Sequence, residues 1–567
     1  MDTDAYTWSE QGYPTDEPAV AFDEYTVPLR TVELPETSAP ESSAPEGDIR
    51  SRMAGYEIPV TPGTGWSAAP SRRRFWIGRA LILGVLFIQA ALSLRLGGTA
   101  DEGEAVSLVV GHNELQHLLH GTPVTTDLVH QMSGAPWLYP VLAGYADSLD
   151  GLAGARLLSL LFSLAGTAVL YSLSRRLFNE RVAVCGAGAY AVLQSTVIVG
   201  FYASSDAMAV FLVALAAWII VYTDRSTAAA VLLAAPVAAL AVGTEYASAL
   251  ALPGLIALAV LASWPHRGLG GGLLRGLLLA VGSLGLLFAL GSATHALTGM
   301  STGTLARHQG TETVGSILWD AAQWSGLFLA VALAGGASYI RRERMNEVPD
   351  AEHQPSSRAQ RTLLVLALCA TAVIVPCYQA QLHSSTAMYR HIGLGLLFAA
   401  PLAGLGVTRL VGAHFRQPQL GILVWVLMLA LGVSQSTHSF QSRPDTNQLL
   451  VALRQHTNDK GRYLTEVDGL PEYYLSDITS AGQWTSAKAG VDYRDSKGVR
   501  YRGAAGEVAA ARDGWFDVIV LDSGSPIAQQ RSLVSAVTGG GHYRLLAQLP
   551  YRSSTGASRT YQIYLKG

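Results

Sequence analysis

Long apolar blocks alternate with short polar breaks from about residue 76 to residue 435, and the pattern stops on either side of that stretch. Blocks of about 17–25 apolar residues read as bilayer-spanning helices, because roughly 20 residues of helix cross the hydrocarbon core. About eleven such segments are expected, at 76–94, 153–173, 182–200, 206–223, 227–243, 245–263, 272–292, 320–340, 362–379, 391–410 and 419–435. The fifth and sixth are divided only by Thr244-Glu245. Beyond residue 440 the periodicity changes. Phe516-Asp517-Val518-Ile519-Val520-Leu521 reads as a buried strand, between helix-like 504–513 and 525–537, with strand-like Tyr543–Tyr551 and Thr560–Lys566 after it. The expected fold is a polytopic α-helical membrane protein of residues 71–440, followed by a small α/β domain at 441–567. Residues 1–70 are rich in Pro, Glu, Asp, Ser and Thr, as in Pro35-Glu36-Thr37-Ser38-Ala39-Pro40-Glu41, and read as a disordered tail.

Half of the residues are hydrophobic and 14% are charged, against roughly 25% charged in a soluble chain. The formal net charge of −3 carries no polyanion-binding signature, so nucleic acid is not an expected partner. The three cysteines, Cys185, Cys369 and Cys377, form no CxxC pair and imply no disulfide framework. No basic segment followed at once by an apolar core opens the chain, so no signal peptide is expected.

Basic residues set the orientation. Arg72-Arg73-Arg74, Arg175, Arg176, Arg181, Arg225, Arg267, Arg341, Arg342, Arg344, Arg358, Arg361, Arg409 and Arg416 fall on one side. The opposite loops hold only Arg95, Arg156, Arg307 and Arg390. The positive-inside rule therefore places the tail in the cytoplasm and three regions outside the cell membrane: a first outer loop at 95–152, the loop around 297–319, and the C-terminal domain.

Acids and bases accumulate on that outer face. Asp101-Glu102-Gly103-Glu104 follows the first span. A carboxylate there can take a proton from an attacking hydroxyl, or can simply cap the helix beginning nearby. Arg156 lies near the outer end of the second span, where a cation is costly without an anion, and a lipid phosphate would be one. Asp206 heads the fourth span, Glu245 lies between the fifth and sixth, Arg390-His391 open the tenth, and Arg307-His308 lie in an outer loop. Pro136 and Pro140 bracket Trp137 and Tyr139, an aromatic pair suited to the membrane interface. His112, His117, His120 and His130 fall in the first loop, and His117 and His120 share a helical face, but no HExxH-type motif supports a metal site. No motif requires a cofactor, and a divalent cation is compatible with this content of acids and histidines. No P-loop is present, which argues against an ATP-driven pump. A secondary transporter would carry its ionisable groups at mid-membrane between paired repeats; a non-catalytic envelope scaffold is the other alternative.

Taken in order, these residues resemble the GT-C glycosyltransferases of the protein-mannosyltransferase/ArnT-like group, glycosyltransferase family 39-like. Asp101-Glu102 follows the first span, Ala135-Pro136-Trp137-Leu138-Tyr139 resembles a PPLY-type motif, Ala155-Arg156-Leu157-Leu158-Ser159-Leu160 opens the second span, and Asp206 heads a later one. The resemblance spans roughly residues 76–410. It implies a many-helix membrane fold with its site between the first outer loop and the membrane. It implies a polyprenyl-phosphate sugar as donor, an inverting transfer, and an acceptor hydroxyl on protein, lipid or cell-wall glycan. Asp101 would be the general base with Glu102 as its neighbour. Arg156, Arg390 and Arg307 would meet the phosphate, and His391, Tyr139, Asp206 and Glu245 would complete the binding site. Two positions depart from the family's pattern: Glu245-Tyr246 stands where Lys-Tyr is common, and Trp137 replaces a proline.

Overall fold

The structure is a computed structural model that describes residues 72–123, 128–294, 310–341, 357–385, 387–412, 418–523, 530–552 and 558–567. The tail at 1–70 and the Arg307-His308 pair lie outside the described residues.

The helical part comprises α1 (Arg72–Ser93), α2 (Glu102–His120), α3 (Tyr139–Leu177), α4 (Glu180–Ala191), α5 (Gln194–Gly200), α6 (Asp206–Tyr222), α7 (Ala234–Thr244), α8 (Leu252–Thr294), α9 (Val314–Arg341), α10 (Arg358–Gln381), α11 (Met388–Val411) and α12 (Pro418–Gln441). Among the described residues, seven helices are long and apolar enough to cross a membrane, or eight when α4 and α5, bent by 70°, count as one span. Two further apolar helices, Asp206–Tyr222 and Ala228–Thr244, are shorter. All eleven expected segments fall on helix, but the length criterion separates them. The sixth and seventh are arms of the single 43-residue α8, which if straight would run about 65 Å, twice the hydrocarbon thickness. It breaks at Gly268, whose φ of 70° and ψ of 173° suit glycine alone. The arms fold back on each other, since a Cβ at Gly272 would reach within 2.7 Å of the Val260 carbonyl oxygen.

Large apolar side chains left exposed, such as Leu83, Phe87, Leu284, Phe288 and Leu423, clothe the outside of these helices. No hydrophobic force draws helices together in lipid, so close packing of small residues must do so. α11, the most buried of the long spans, follows this rule: a Cβ at Gly404 would lie 2.2 Å from the Val182 carbonyl oxygen of α4, and one at Gly406 2.2 Å from that of Val331 in α9.

After α13 (Asn447–Arg454) the chain forms β1 (Tyr463–Thr465), α14 (Leu470–Tyr474), β2 (Trp484–Ser486), β3 (Tyr493–Arg494), β4 (Arg500–Tyr501), α15 (Ala504–Arg512), β5 (Val518–Asp522), α16 (Gln530–Gly539), β6 (Tyr543–Arg552) and β7 (Ser558–Lys566). The five-stranded sheet runs β2-β1-β5-β7-β6. β2, β1 and β5 are parallel, while β7 and β6 join antiparallel. Val518, Ile519, Val520 and Leu521 are all buried, which explains the continuous apolar run of β5: both faces of a parallel strand are covered.

This small domain rests on the first long loop. The Tyr473 hydroxyl donates to Asp147 Oδ1 (2.6 Å), and the Ala100 amide donates to the Tyr474 hydroxyl (2.6 Å). Lys488 is paired with Glu102 and lies 3.0 Å from Asp468 Oδ2. At Gly469 (φ 73°) a Cβ would come within 2.6 Å of the Val106 nitrogen, so only glycine allows this approach.

Candidate active site

Asp101 is the N-cap of α2, and its own amide donates to Glu104 Oε2 (3.0 Å), one arm of a capping box. Capping does not exhaust its side chain. Oδ2 accepts the Tyr202 hydroxyl at 2.7 Å. The Tyr202 ring, buried at the start of the α5–α6 turn, is flanked by two guanidinium groups: Arg390 at 5.1 Å and Arg443 at 4.7 Å from its centroid. One ring therefore joins a carboxylate to two cations. Arg390 comes from the first turn of α11 and Arg443 from just beyond α12.

Glu104, wholly buried, organises the floor of this region. It accepts from Arg156 through both oxygens (2.9 and 2.7 Å), takes the Ala203 amide on Oε1 (2.9 Å), and has Arg443 Nη1 3.5 Å from Oε2. Arg156 also donates to the carbonyls of Gly98 and Thr99 (3.3 and 3.2 Å). The anion that Arg156 requires is thus a side chain of the same protein, and its fork is filled by fixed acceptors. The sequence motif contained Glu104, but nothing local distinguished it from its neighbours. Arg443 was missed altogether, because its partners lie hundreds of residues away.

Glu102 points to the C-terminal domain. Its Oε1 meets Lys488 and accepts the Asp468 amide (3.3 Å). Burial pushes its carboxyl above the usual range against the pull of Lys488, with Asp468 and Asp101 adding to the rise. Lys488, although burial alone would lower it, is held above its usual value by Glu102 and Asp468. Tyr139 stays out of the cluster: it is fully buried, its hydroxyl shares a 2.7 Å hydrogen bond with Ser159, and it packs with Leu108, Ala143, Ala155 and Ala203. Of the first-loop histidines, His112 pairs with Asp147 (2.7 Å) and His117 Nδ1 lies 2.7 Å from the Thr122 carbonyl.

Beside Arg390 lies a second constellation. Asp206 Oδ2 accepts the Ser204 hydroxyl (2.7 Å) and meets Arg390 Nη1 (3.4 Å), while Oδ1 faces His391 Nε2 at 3.2 Å. Glu245 Oε2 accepts the hydroxyls of Ser133 (2.6 Å) and Ser205 (2.7 Å), while Oε1 lies 3.7 Å from the same His391 nitrogen. Asp206, Glu245 and His391 are all buried, with donor atoms within 4.8 Å of one another, so these are the residues that could hold a metal ion. The sequence placed each at the end of a span; the fold brings them to one point.

Residues 136–289 match the sequence model of the family described as dolichyl-phosphate-mannose-protein mannosyltransferase. No curated protein matches the chain by sequence. Among solved structures, ArnT from Cupriavidus metallidurans is similar in its apo state and bound to undecaprenyl phosphate, in each case with 14% identity, 87% of this chain and 98% of that one covered, and a TM-score of 0.52. An Archaeoglobus fulgidus oligosaccharyltransferase in the apo form aligns over 86% of this chain and 75% of its own at 12% identity, with a TM-score of 0.49. The chain has the GT-C membrane glycosyltransferase fold, and its residues 136–289 carry the protein-mannosyltransferase signature.

Proposed function

We propose that this protein moves a sugar from a polyprenyl-phosphate carrier to an acceptor hydroxyl on the outer face of the cell membrane, with Asp101 as general base. The observation that carries this is Tyr202, whose hydroxyl holds Asp101 while its ring faces Arg390 and Arg443. The acceptor oxygen attacks the anomeric carbon as its proton passes to Asp101. The bond from that carbon to the phosphate oxygen breaks, the electron pair stays with the phosphate, and the configuration inverts. Charge developing on the leaving phosphate needs cations nearby. Arg390 and Arg443 fill that role, while Arg156, occupied by Glu104, holds the loop that carries Asp101. Glu102, committed to Lys488, is the neighbour and not the base.

The ArnT structure bound to undecaprenyl phosphate supports the same class of carrier. The arginine distribution supports an outward C-terminal domain and a cytoplasmic N-terminus. Purified protein given a polyprenyl-phosphate sugar and acceptor is expected to release polyprenyl phosphate, and a tag after Gly567 is expected to be reachable from outside the cell. Transfer from nucleotide sugars alone would remove the donor assignment, and a protected tag would reverse the orientation.

A further inference from the structure

The pairing of donors around Asp206, Glu245 and His391 is lopsided in a specific way. Each carboxylate has one oxygen fixed by the protein and the other turned to a common point. Asp206 Oδ2 is held by Ser204 and Arg390, and Glu245 Oε2 by Ser133 and Ser205, which leaves Asp206 Oδ1 and Glu245 Oε1 facing His391 Nε2. Glu245 Oε1 lies 3.7 Å from His391 Nε2, on a side chain that is only 4% exposed. An imidazole offers one proton or one lone pair at Nε2, so it cannot satisfy both inward oxygens.

We infer that Asp206, Glu245 and His391 form a binding site for one divalent transition-metal ion, with Zn2+ the best match. Ligands at about 2.1 Å on a tetrahedral centre lie about 3.4 Å apart. The two edges that meet at His391, 3.2 and 3.7 Å, already fit, and the whole set is within 4.8 Å. A nitrogen with two carboxylate oxygens suits zinc or manganese better than calcium or magnesium, which favour all-oxygen sites. The serines and Arg390 act as the outer partners that orient metal-binding carboxylates. Three protein ligands leave a fourth position open. With Arg390 on the same aspartate, that position would take an anionic oxygen, and in this role the inference rests on the lipid-phosphate function proposed above.

Metal uptake can be read without any sugar donor. Chelator-stripped, purified full-length protein titrated calorimetrically with Zn2+, and separately with Mn2+, is expected to bind one ion per chain at micromolar or tighter affinity. X-ray absorption at the zinc edge is expected to show nitrogen and oxygen neighbours and no sulfur. Asp206→Asn, Glu245→Gln and His391→Ala should each weaken binding at least about tenfold. Glu245→Lys, which places an ammonium where the ion would sit, should remain folded and take up no metal, covering the case in which the truncations unfold. Failure of the wild type to bind either ion, or binding unchanged in all four variants, overturns the site. Either result leaves the donor assignment standing or falling on its own assay.

Discussion

Tyr202 donates its hydroxyl hydrogen to Asp101 across 2.7 Å while its ring is held between Arg390 and Arg443. A carboxylate oriented this way keeps a lone pair for an incoming proton, and the cations stay close without pairing with it directly. Asp101→Asn should lower turnover about 10²–10⁴-fold, the usual worth of a general base, with donor binding retained. Tyr202→Phe should cost less, because it removes the orienting bond and keeps the ring between the guanidiniums. Steady-state rates with polyprenyl-phosphate sugar check both; a wild-type rate in the Asp101→Asn variant would exclude Asp101 as the base.

The Glu104–Arg156 pair is almost wholly desolvated, with 0% and 5% side-chain exposure. Removing one partner strands a buried charge at a cost of about 3–5 kcal/mol. Glu104→Gln or Arg156→Met should therefore lower thermal stability sharply in detergent, and the double variant should lose less than the sum. Additive losses in that double-mutant cycle would mean that the two do not act as a pair.

Glu507 of α15 is fully buried with neither carboxyl oxygen hydrogen-bonded by a side chain. Burial, reinforced by Glu466 and Asp468, pushes it up to about 8 from an ordinary 4.5. The folded state then binds a proton that the unfolded state has released between those values. Its contribution to stability is complete below pH 4.5 and is lost as pH rises through about 8. Glu507→Gln should flatten this slope and raise the melting temperature at pH 8 and above. Melting curves from pH 5 to 9 give the answer, and an unchanged slope would assign it to other groups.

Gly404 and Gly84 make a matched pair. A Cβ at Gly404 would sit 2.2 Å from a backbone oxygen of α4, whereas one at Gly84 meets nothing within 4 Å. Gly404→Ala should destabilise by about 1–3 kcal/mol through overpacking. Gly84→Ala should be neutral or stabilise by about 0.5–1 kcal/mol through helix propensity. Yields of monodisperse protein and melting temperatures would compare them; equal behaviour would mean that α4 and α11 can part without penalty.

Membrane character, the helical segments, the buried β5 strand and the gathering of acids and bases at the ends of helices were all legible in the amino-acid order. Each depends on side-chain properties summed over a window of ten to twenty residues, and such sums need no partner. What the order could not supply was pairing. Arg156 finds Glu104 at a separation of 52 residues, and Arg390 finds Asp206 at 184. The local pattern left Arg156 looking for an anion, and only the packing of α2 against α3 decided that the anion was internal. Break points such as Gly268, and the bend between α4 and α5, likewise turn on backbone geometry that hydropathy does not encode. Hydrophobicity is local and additive, so the chain's course through a bilayer can be read from its order. A site made of Asp206, Glu245 and His391 exists only once three distant helix ends meet, because electrostatic fit is a property of distances in space.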